Sequence, residues 1–188
     1  MAGMEIKGVA IAATKDFIVE TFGEDGFRKW LDSLSPEAKK VYDGSILPSE
    51  WYPLTSIGSV PRQKMCDLFY EGGPKGCIDL GRYSANYSLK GIYKLLVRMT
   101  TIDYLTKKVA KATSLYYRPS KYVVWEKSPK DVTIRITEFP EPHKAMEYNN
   151  LGYLKGALEM CGYKNVRTKL GKSLADGDEY SELIVSWD

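Results

Sequence analysis

The chain has 188 residues, of which 44% are hydrophobic, and this apolar content is enough for one domain with a substantial core. Its 27 lysine and arginine residues against 24 aspartate and glutamate residues give a net charge of +3 that is spread along the chain, which argues against nucleic-acid binding. No apolar run is long enough to span a bilayer, and residues 1–13 lack the order of a secretory signal, so we expect a cytoplasmic protein without a membrane span.

The first part of the chain is predicted to contain one strand and one interrupted helix. Residues 5–12 alternate well enough for a short strand, and Thr14 then provides a suitable helix cap. Gly23 and Gly26 interrupt the helix, after which apolar residues recur at helical spacing over residues 27–34. The segment is therefore expected to resume as an amphipathic helix.

A second, short helix and a long loop follow. Ser35 is expected to cap the helix, and Pro36 suits its first turn because the N–H group that proline lacks has no partner there. This helix is expected to end near Tyr42. Residues 43–60 hold several glycines and prolines around Trp51, so we expect a loop that folds back over the body as a lid.

Helices are predicted to dominate the middle of the chain. One helix is expected over residues 61–70, and the glycine- and proline-rich segment 72–76 ends it. Two apolar stripes at helical spacing follow, over residues 80–99 and 102–116. These two helices are expected to be the central apolar elements of the protein.

The pattern then changes to that of antiparallel strands. Residues 122–126 and 132–136 alternate as strands do, and residues 128–131 have the composition of a hairpin turn. Three aliphatic side chains of the second strand share one face, so that face is expected to be buried.

A helix and a second hairpin are predicted for the last forty residues. The helix is expected over residues 145–161, where Gly152 and Gly156 let a neighbouring element approach closely. Residues 164–170 and about 180–187 then form the hairpin.

The expected fold class is α+β. A helical N-terminal half is predicted to pack on a four- to five-stranded, mostly antiparallel sheet. We expect a single domain, residues 1–188, in which residues 1–60 form a helical N-terminal subdomain and residues 61–188 form the core helices and the sheet.

The order of these elements and several short motifs resemble one superfamily. The motifs are Gly152-Tyr-Leu-Lys-Gly156-Ala-Leu in the last helix, Gly177-Asp178 before the last strand, and Lys7-Gly8 and Phe22-Gly23 near the start. They resemble haem nitric-oxide-binding (H-NOX) domains, four-vinyl reductase domains and TRAPP vesicle-tethering subunits, and most closely a haem-less bacterial family of similar length. The resemblance covers nearly the whole chain.

The resemblance also identifies what this chain lacks for haem. Haem-binding members hold iron through a histidine in the helical region before the hairpin and clamp the haem propionates with a Tyr-x-Ser-x-Arg motif. The single histidine, His143, lies beyond the hairpin, and residues 81–118 contain none. Arg82-Tyr83-Ser84 holds the same residue types in a different order, and no spacing indicates ligation by Tyr, Cys or Met. We therefore expect no haem and no other cofactor.

No other motif indicates catalysis or a metal site. His143 has no paired carboxylate or cysteine, which favours a surface or hydrogen-bonding role. Cys66 and Cys77 could meet across the glycine-rich turn, but two thiols make a poor zinc site, so packing of reduced thiols is favoured. Asp176-Gly177-Asp178 lacks the ligand pattern of a calcium loop and favours a turn. We expect no catalytic residue, no metal site and no enzyme.

Aromatic residues on the central helices and the first hairpin strand suggest a ligand pocket, since tyrosine combines an apolar ring with a polar tip. As the relatives' pocket implies, we expect an apolar small molecule or a lipid acyl chain between the helices of residues 83–117 and the sheet, with occupancy signalled to a partner protein. The candidate ligand-binding residues are Tyr83, Tyr87, Tyr93, Tyr104, Tyr116 and Trp125. The alternative is a homodimeric interaction scaffold without ligand, in which the same aromatics fill the interior.

Overall fold

The N-terminal helix begins earlier than the sequence pattern predicts. The computed structural model describes residues 3–88 and 113–188, in which strand β1 (Glu5–Lys7) leads directly into helix α1 (Gly8–Asp32). The predicted strand over residues 5–12 is therefore too long, because the alanine-rich stretch after Gly8 favours a helix. The predicted cap is also wrong: Thr14 lies inside α1, where its hydroxyl donates to a backbone carbonyl one turn earlier.

Gly23 divides α1 as predicted. Its φ of 71° and ψ of −178° are non-helical and lie in a region that favours glycine, whereas Gly26 remains helical. Helix α2 (Pro36–Asp43) begins behind Ser35, whose hydroxyl accepts a 3.2 Å hydrogen bond from the Ala38 N–H. The predicted cap and first-turn proline of this helix are confirmed.

The segment predicted as a loop over residues 43–60 contains two further elements. Strand β2 (Trp51–Pro53) pairs antiparallel with β1, and β1 pairs on its other side with β3 (Tyr117–Arg118). A π-helix covers Leu54–Ser59 and is largely buried. The loop prediction is wrong for residues 51–59, because a three-residue strand depends on distant partners that local composition does not reveal.

Two helices follow the π-helix. Helix α3 (Val60–Phe69) confirms the helix predicted over residues 61–70. Helix α4 (Lys75–Ser88) begins inside the segment predicted to be a break, and positive φ angles at Glu71 and Gly72 make the turn before it. The first apolar stripe is therefore helical as far as Ser88, and the predictions for residues 89–112 lie outside the described residues.

A four-stranded antiparallel sheet confirms both predicted hairpins. Its strands are β4 (Lys121–Lys127), β5 (Asp131–Glu138), β6 (Arg167–Leu170) and β7 (Ser181–Ser186), in the order β4-β5-β7-β6. The three aliphatic side chains of β5 face the core, as expected from their alternation. Arg135, between them in sequence, therefore lies on the outer face.

Helix α5 (Lys144–Met160) packs backbone to backbone on α4. A Cβ atom at Gly152 would lie 2.0 Å from the Ile78 carbonyl oxygen, and one at Gly81 would lie 2.1 Å from the Asn149 carbonyl oxygen. No side chain fits either position, so the predicted close approach of α5 to a neighbour is confirmed. The contact fixes the separation of α4 and α5.

One cluster of buried hydrophobic side chains connects the N-terminal helices to the sheet. It includes Ile6 and Trp30 from the N-terminal part, Leu80 from α4, and Ile134 and Val185 from the sheet. The α+β class is confirmed, with helices packed against antiparallel strands. Within residues 3–88 and 113–188, no helix has the length and apolar character required to cross a bilayer.

Candidate functional site

A cavity of about 70 Å³ lies beside the α4–α5 contact. Its walls come from the first turns of α1, the last turns of α4, residues 113–117 and the middle of α5. The lining residues are Val9, Ala10, Ala13, Ser84, Tyr87, Ser88, Thr113, Tyr116, Tyr117, Asn149, Asn150 and Tyr153. No charged side chain is among these described residues, so the cavity suits an uncharged occupant.

Small side chains on α1 help to keep the cavity open. Ala10 and Ala13 line the same cavity as four tyrosine rings, and α4 cannot move closer to α5 because the backbones already touch at Gly81 and Gly152. The glycine contact therefore sets the separation of the helices, and the small alanine side chains leave room for the cavity beside it.

A pair of hydroxyl groups forms one polar edge of the cavity. The Ser88 hydroxyl donates to the Ser84 carbonyl oxygen at 2.9 Å, so it accepts the 3.0 Å hydrogen bond that links it to the Tyr153 hydroxyl. The Ser84 hydroxyl is buried and has no hydrogen-bond partner among the described residues. Its hydrogen-bonding capacity is available to a molecule in the cavity.

The remaining polar tips are held by the protein. The Asn150 amide donates to the Tyr122 hydroxyl at 2.9 Å, which fixes its orientation. Burial raises the pKa of Tyr87, of Tyr117 and of Tyr153 above the ordinary value for tyrosine. These phenols are therefore neutral at physiological pH and act as hydrogen-bonding groups.

Of the four predicted ligand-binding residues that the structure describes, two line the cavity and two lie outside it. Tyr87 and Tyr116 are on its wall. Tyr83 lies next to it, since its ring stacks on Tyr87 with centroids 6.1 Å apart and its hydroxyl donates to Glu20 at 2.7 Å. Trp125 lies on β4, away from the cavity, with 54% of its surface exposed. Tyr93 and Tyr104 lie outside the described residues.

The exposed position of Trp125 is explained by its neighbours. Its indole ring lies 3.7 Å from the Arg135 guanidinium, a cation–π contact on the outer face of the sheet. Tyr180 covers the same guanidinium at 4.2 Å. The prediction placed Trp125 on the pocket wall because it adjoins the helices in sequence, but the strand turns it to the other side.

Sequence reasoning missed the residues that α5 contributes to the cavity. Asn149, Asn150 and Tyr153 follow one another at spacings that bring them close together on a helix. The two asparagines are buried in an otherwise apolar environment, and buried amides in a helix are the signal that could have identified this wall.

A second polar cluster, around Glu147 of α5, has its hydrogen bonds satisfied within the described residues. The buried Glu147 carboxylate accepts hydrogen bonds from the hydroxyls of Ser173 and Ser181 and from the Ala175 N–H. These contacts tie α5 to the segment before β7, which includes the predicted turn at residues 176–178. In the parts of the chain that the structure describes, no group of three or more His, Cys, Asp or Glu side chains could hold a metal ion.

Comparison with solved structures identifies the fold. No protein-family model matches the sequence, and a search of curated proteins gives no match. A point mutant of the H-NOX protein of K. algicida, in its unliganded Fe(II) state, superposes with a TM-score of 0.74 at 16% identity over 97% of both chains. The H-NOX protein of S. oneidensis in its Fe(II)NO state gives a TM-score of 0.74 at 14% identity, over 97% of this chain and 99% of that chain. The chain has the H-NOX fold.

The two H-NOX proteins hold Fe(II), and the described cavity lining of this chain has no histidine that could bind such an iron. His143, the single histidine of the sequence, caps α5 by accepting a 3.1 Å hydrogen bond from the Ala145 N–H at Nδ1 and does not line the cavity. The described lining holds no cysteine or methionine either, and the raised pKa of Tyr87, Tyr117 and Tyr153 disfavours their phenolate forms. The cavity is also smaller than the roughly 150 Å³ that accommodates a single benzene ring.

Proposed function

We propose that this chain is a haem-free sensory domain that binds a small, uncharged, largely apolar ligand in the cavity between α1, α4 and α5 and signals occupancy to a partner protein. The observation that carries the proposal is the tyrosine-lined cavity beside the Ser84 hydroxyl, which has no hydrogen-bond partner among the described residues. A site of this kind combines apolar walls with few polar groups, as small-molecule sites do. No role as an enzyme is proposed.

The size and chemistry of the cavity restrict the ligand. A volume of about 70 Å³ suits a compact molecule better than an extended acyl chain. The walls offer ring faces and methyl groups, and Ser84 offers one hydroxyl that can donate or accept a hydrogen bond. A small aliphatic alcohol or ketone has this combination of properties.

A contact path leads from the cavity to the surface of α1. Tyr87 on the cavity wall stacks on Tyr83, and the Tyr83 hydroxyl donates a hydrogen bond to the Glu20 carboxylate. Glu20 lies on α1, three residues before the break at Gly23. A ligand that moves Tyr87 changes this stack, and Gly23 is the position where α1 can bend. Displacement of the second half of α1 is therefore the proposed output.

The experiment measures binding with defined probes. Ethanol, 2-propanol and acetone, which are all smaller than benzene, are added to the purified protein, and the thermal midpoint of unfolding is followed over a concentration series, since a native-state ligand stabilises by mass action. We expect a saturable increase with at least one probe. Mass spectrometry of an organic extract of the same preparation tests for a ligand that is retained during purification.

Two variants separate cavity binding from binding elsewhere. Ala13→Leu places extra atoms into the cavity and should abolish the thermal shift, whereas Trp125→Ala on the outer sheet face should retain it. An equal response of both variants would mean that the probes bind outside the cavity. Absence of any shift, together with an empty extract, would rule out the ligand proposal.

The expected lack of haem binding is tested on the same protein. Haemin is added in excess, unbound haemin is removed by gel filtration, and the absorbance spectrum is recorded. We expect no stoichiometric Soret band, because the described residues offer no suitable axial ligand. A stoichiometric band that survives gel filtration would contradict the haem-free part of the proposal.

One observation favours a second candidate, a homodimeric interaction module. Strand β4 is at the edge of the sheet and carries two exposed apolar side chains, Val124 and Trp125. Exposed edge strands of this kind are suited to pairing with another chain. Multi-angle light scattering should then give a dimer that Trp125→Ala converts to a monomer, and a monomer at all concentrations would exclude this candidate.

A further inference from the structure

Two cysteines meet where α3 and α4 join. Cys66 is on α3 and Cys77 is on α4, and their Sγ atoms lie 3.1 Å apart in a thiol hydrogen bond. Each residue is only 2% exposed. The third cysteine, Cys161, follows the end of α5 and is half-buried. The first two thiols are therefore a preformed pair, not merely apolar packing as the sequence pattern favoured.

The turn between the two helices holds the pair in place. The Cys66 carbonyl accepts hydrogen bonds from the N–H groups of Tyr70 and Gly72, at 2.9 and 3.0 Å. Positive φ angles at Glu71 and Gly72 reverse the chain, so that the second helix starts beside the first. The thiols thus face each other because the backbone around Cys66 is fixed, and little rearrangement separates them from bonding distance.

The two thiols are chemically unequal. The hydrogen bond from Cys77 lowers the pKa of the Cys66 thiol, whereas the same bond and burial raise the pKa of Cys77. Cys66 is thus the sulfur that loses its proton first, and the thiolate is the nucleophilic form of cysteine.

A buried cation lies on the same helix. The fully buried Arg62 guanidinium, one turn before Cys66, donates to the backbone carbonyls of Gly58 and Ala10, each at 3.0 Å. Its Nε has no partner in the described part of the chain, and none of its described partners is a carboxylate. Its positive charge lowers the pKa of the Cys77 thiol and so partly offsets the effect of burial there, which helps Cys77 to give up its proton once Cys66 has been oxidised.

We propose that Cys66 and Cys77 form a reversible dithiol–disulfide site that is oxidised by a peroxide. The Cys66 thiolate attacks one oxygen of hydrogen peroxide, the O–O bond breaks, and Cys66 becomes a sulfenic acid as hydroxide leaves. The Cys77 sulfur then attacks the Cys66 sulfur, the S–O bond breaks, and the hydroxide released takes the Cys77 proton. Overall, two thiols lose two electrons and two protons, and one peroxide becomes two waters.

The position of the pair gives the oxidation a structural consequence. The disulfide would join α3 covalently to α4, and α4 carries Ser84, Tyr87 and Ser88 of the cavity. The turn at residues 70–74, where Glu71 and Gly72 are exposed, joins the two helices that carry the thiols, and opening of this turn is the proposed route for peroxide. The oxidation itself does not depend on the proposed ligand function.

The test counts free thiols in the native protein. The full chain is treated with hydrogen peroxide, catalase removes the excess, and the protein is denatured and alkylated with N-ethylmaleimide for intact-mass measurement. With three cysteines in the sequence, the reduced protein should carry three maleimides and the oxidised protein one. Dithiothreitol added before alkylation should restore three.

Peptide mapping identifies the bonded pair without a mutation. Trypsin cleaves after Lys64, Lys75 and Arg82, so a Cys66–Cys77 disulfide links the peptides 65–75 and 76–82. Cys161→Ser should retain the loss of two alkylation sites, whereas Cys77→Ser should abolish it. Three maleimides after peroxide treatment, or linkage through Cys161 alone, would overturn the proposal.

Discussion

The contact between α4 and α5 and the cavity beside it are built by the same two helices but differ in what a side chain can do there. At the contact, Gly81 and Gly152 let the backbones touch, and no Cβ atom can be accommodated. At the cavity, Ser84 and Tyr153 lie on the same two helices, yet open space and an unpartnered hydroxyl remain among the described residues.

This difference shows how a helix pair supports a binding site. The backbone contact leaves α4 with no freedom to collapse onto the cavity, so the space beside it persists without a ligand. Loss of the contact should therefore disturb both stability and binding, whereas removal of a cavity-wall group that has no partner among the described residues should disturb binding alone.

The largest expected effect is that of Gly152→Ala. The new Cβ would lie 2.0 Å from a backbone carbonyl oxygen of α4, which cannot rotate away. We expect a loss of about 3 kcal/mol in the free energy of unfolding, at the upper end of overpacking effects. Urea denaturation followed by circular dichroism measures it.

Gly156→Ala is the matched control for that variant. The substitution is the same and lies on the same helix, but the new Cβ would be 3.0 Å from the nearest backbone atoms of Arg82. A small displacement of the helices costs free energy, but the better helix propensity of alanine regains about 1 kcal/mol. We therefore expect little net change in the free energy of unfolding. Equal losses in the two variants would show that the 2.0 Å contact is not what limits the helix separation.

A smaller loss is expected for Ser181→Ala. The hydroxyl of this residue donates to the buried Glu147 carboxylate, so its removal leaves a charged acceptor with fewer donors. We expect a loss of about 2 kcal/mol in the free energy of unfolding, as is typical of hydrogen bonds to charged groups. An unchanged urea midpoint would mean that water replaces the serine at no cost.

The sequence pattern predicted most of the scaffold around these sites. Alternation identified β4, β5 and the closing hairpin, and two glycines four residues apart identified the close helix contact. Ser35 and Pro36 marked the start of α2 correctly. These features are local, since each depends on residues that are neighbours along one element.

The elements that were missed depend on distant partners. Strand β2 is too short to be recognised without β1, and the π-helix after it is buried by the rest of the fold. The prediction of which residues line the cavity was incomplete for the same reason. Trp125 and Tyr87 are both aromatic, but only the tertiary structure decides that one faces the outer surface and the other the cavity.

Ser84→Ala should leave stability almost unchanged but weaken ligand binding. The Ser84 hydroxyl has no partner among the described residues, so its removal costs no hydrogen bond in the ligand-free protein. A ligand that uses this hydroxyl should lose about 1 kcal/mol of binding free energy, or about fivefold in Kd. Thermal unfolding and probe titration measure the two quantities.

Ser88→Ala distinguishes this explanation from a general effect on α4. The Ser88 hydroxyl accepts from Tyr153, so its loss leaves a buried phenol without that partner and should cost about 1 kcal/mol of stability. If Ser84→Ala lowers the thermal midpoint as much as Ser88→Ala does, the Ser84 hydroxyl has a structural role and the cavity loses its free polar group.

The smallest expected effect is a pH dependence from His143 at the start of α5. Burial lowers the pKa of this imidazole below its ordinary value of 6.5, although the nearby Glu147 opposes the shift. As the pH falls through 6.5, the unfolded chain therefore takes up a proton more readily than the folded chain, and stability declines. Protonation also removes the Nδ1 acceptor that caps the Ala145 N–H.

The variant His143→Asn keeps a capping oxygen but does not titrate. The urea midpoint should therefore depend less steeply on pH, between about pH 5.5 and 7, than that of the wild-type chain. An identical slope in both proteins would place the titration elsewhere.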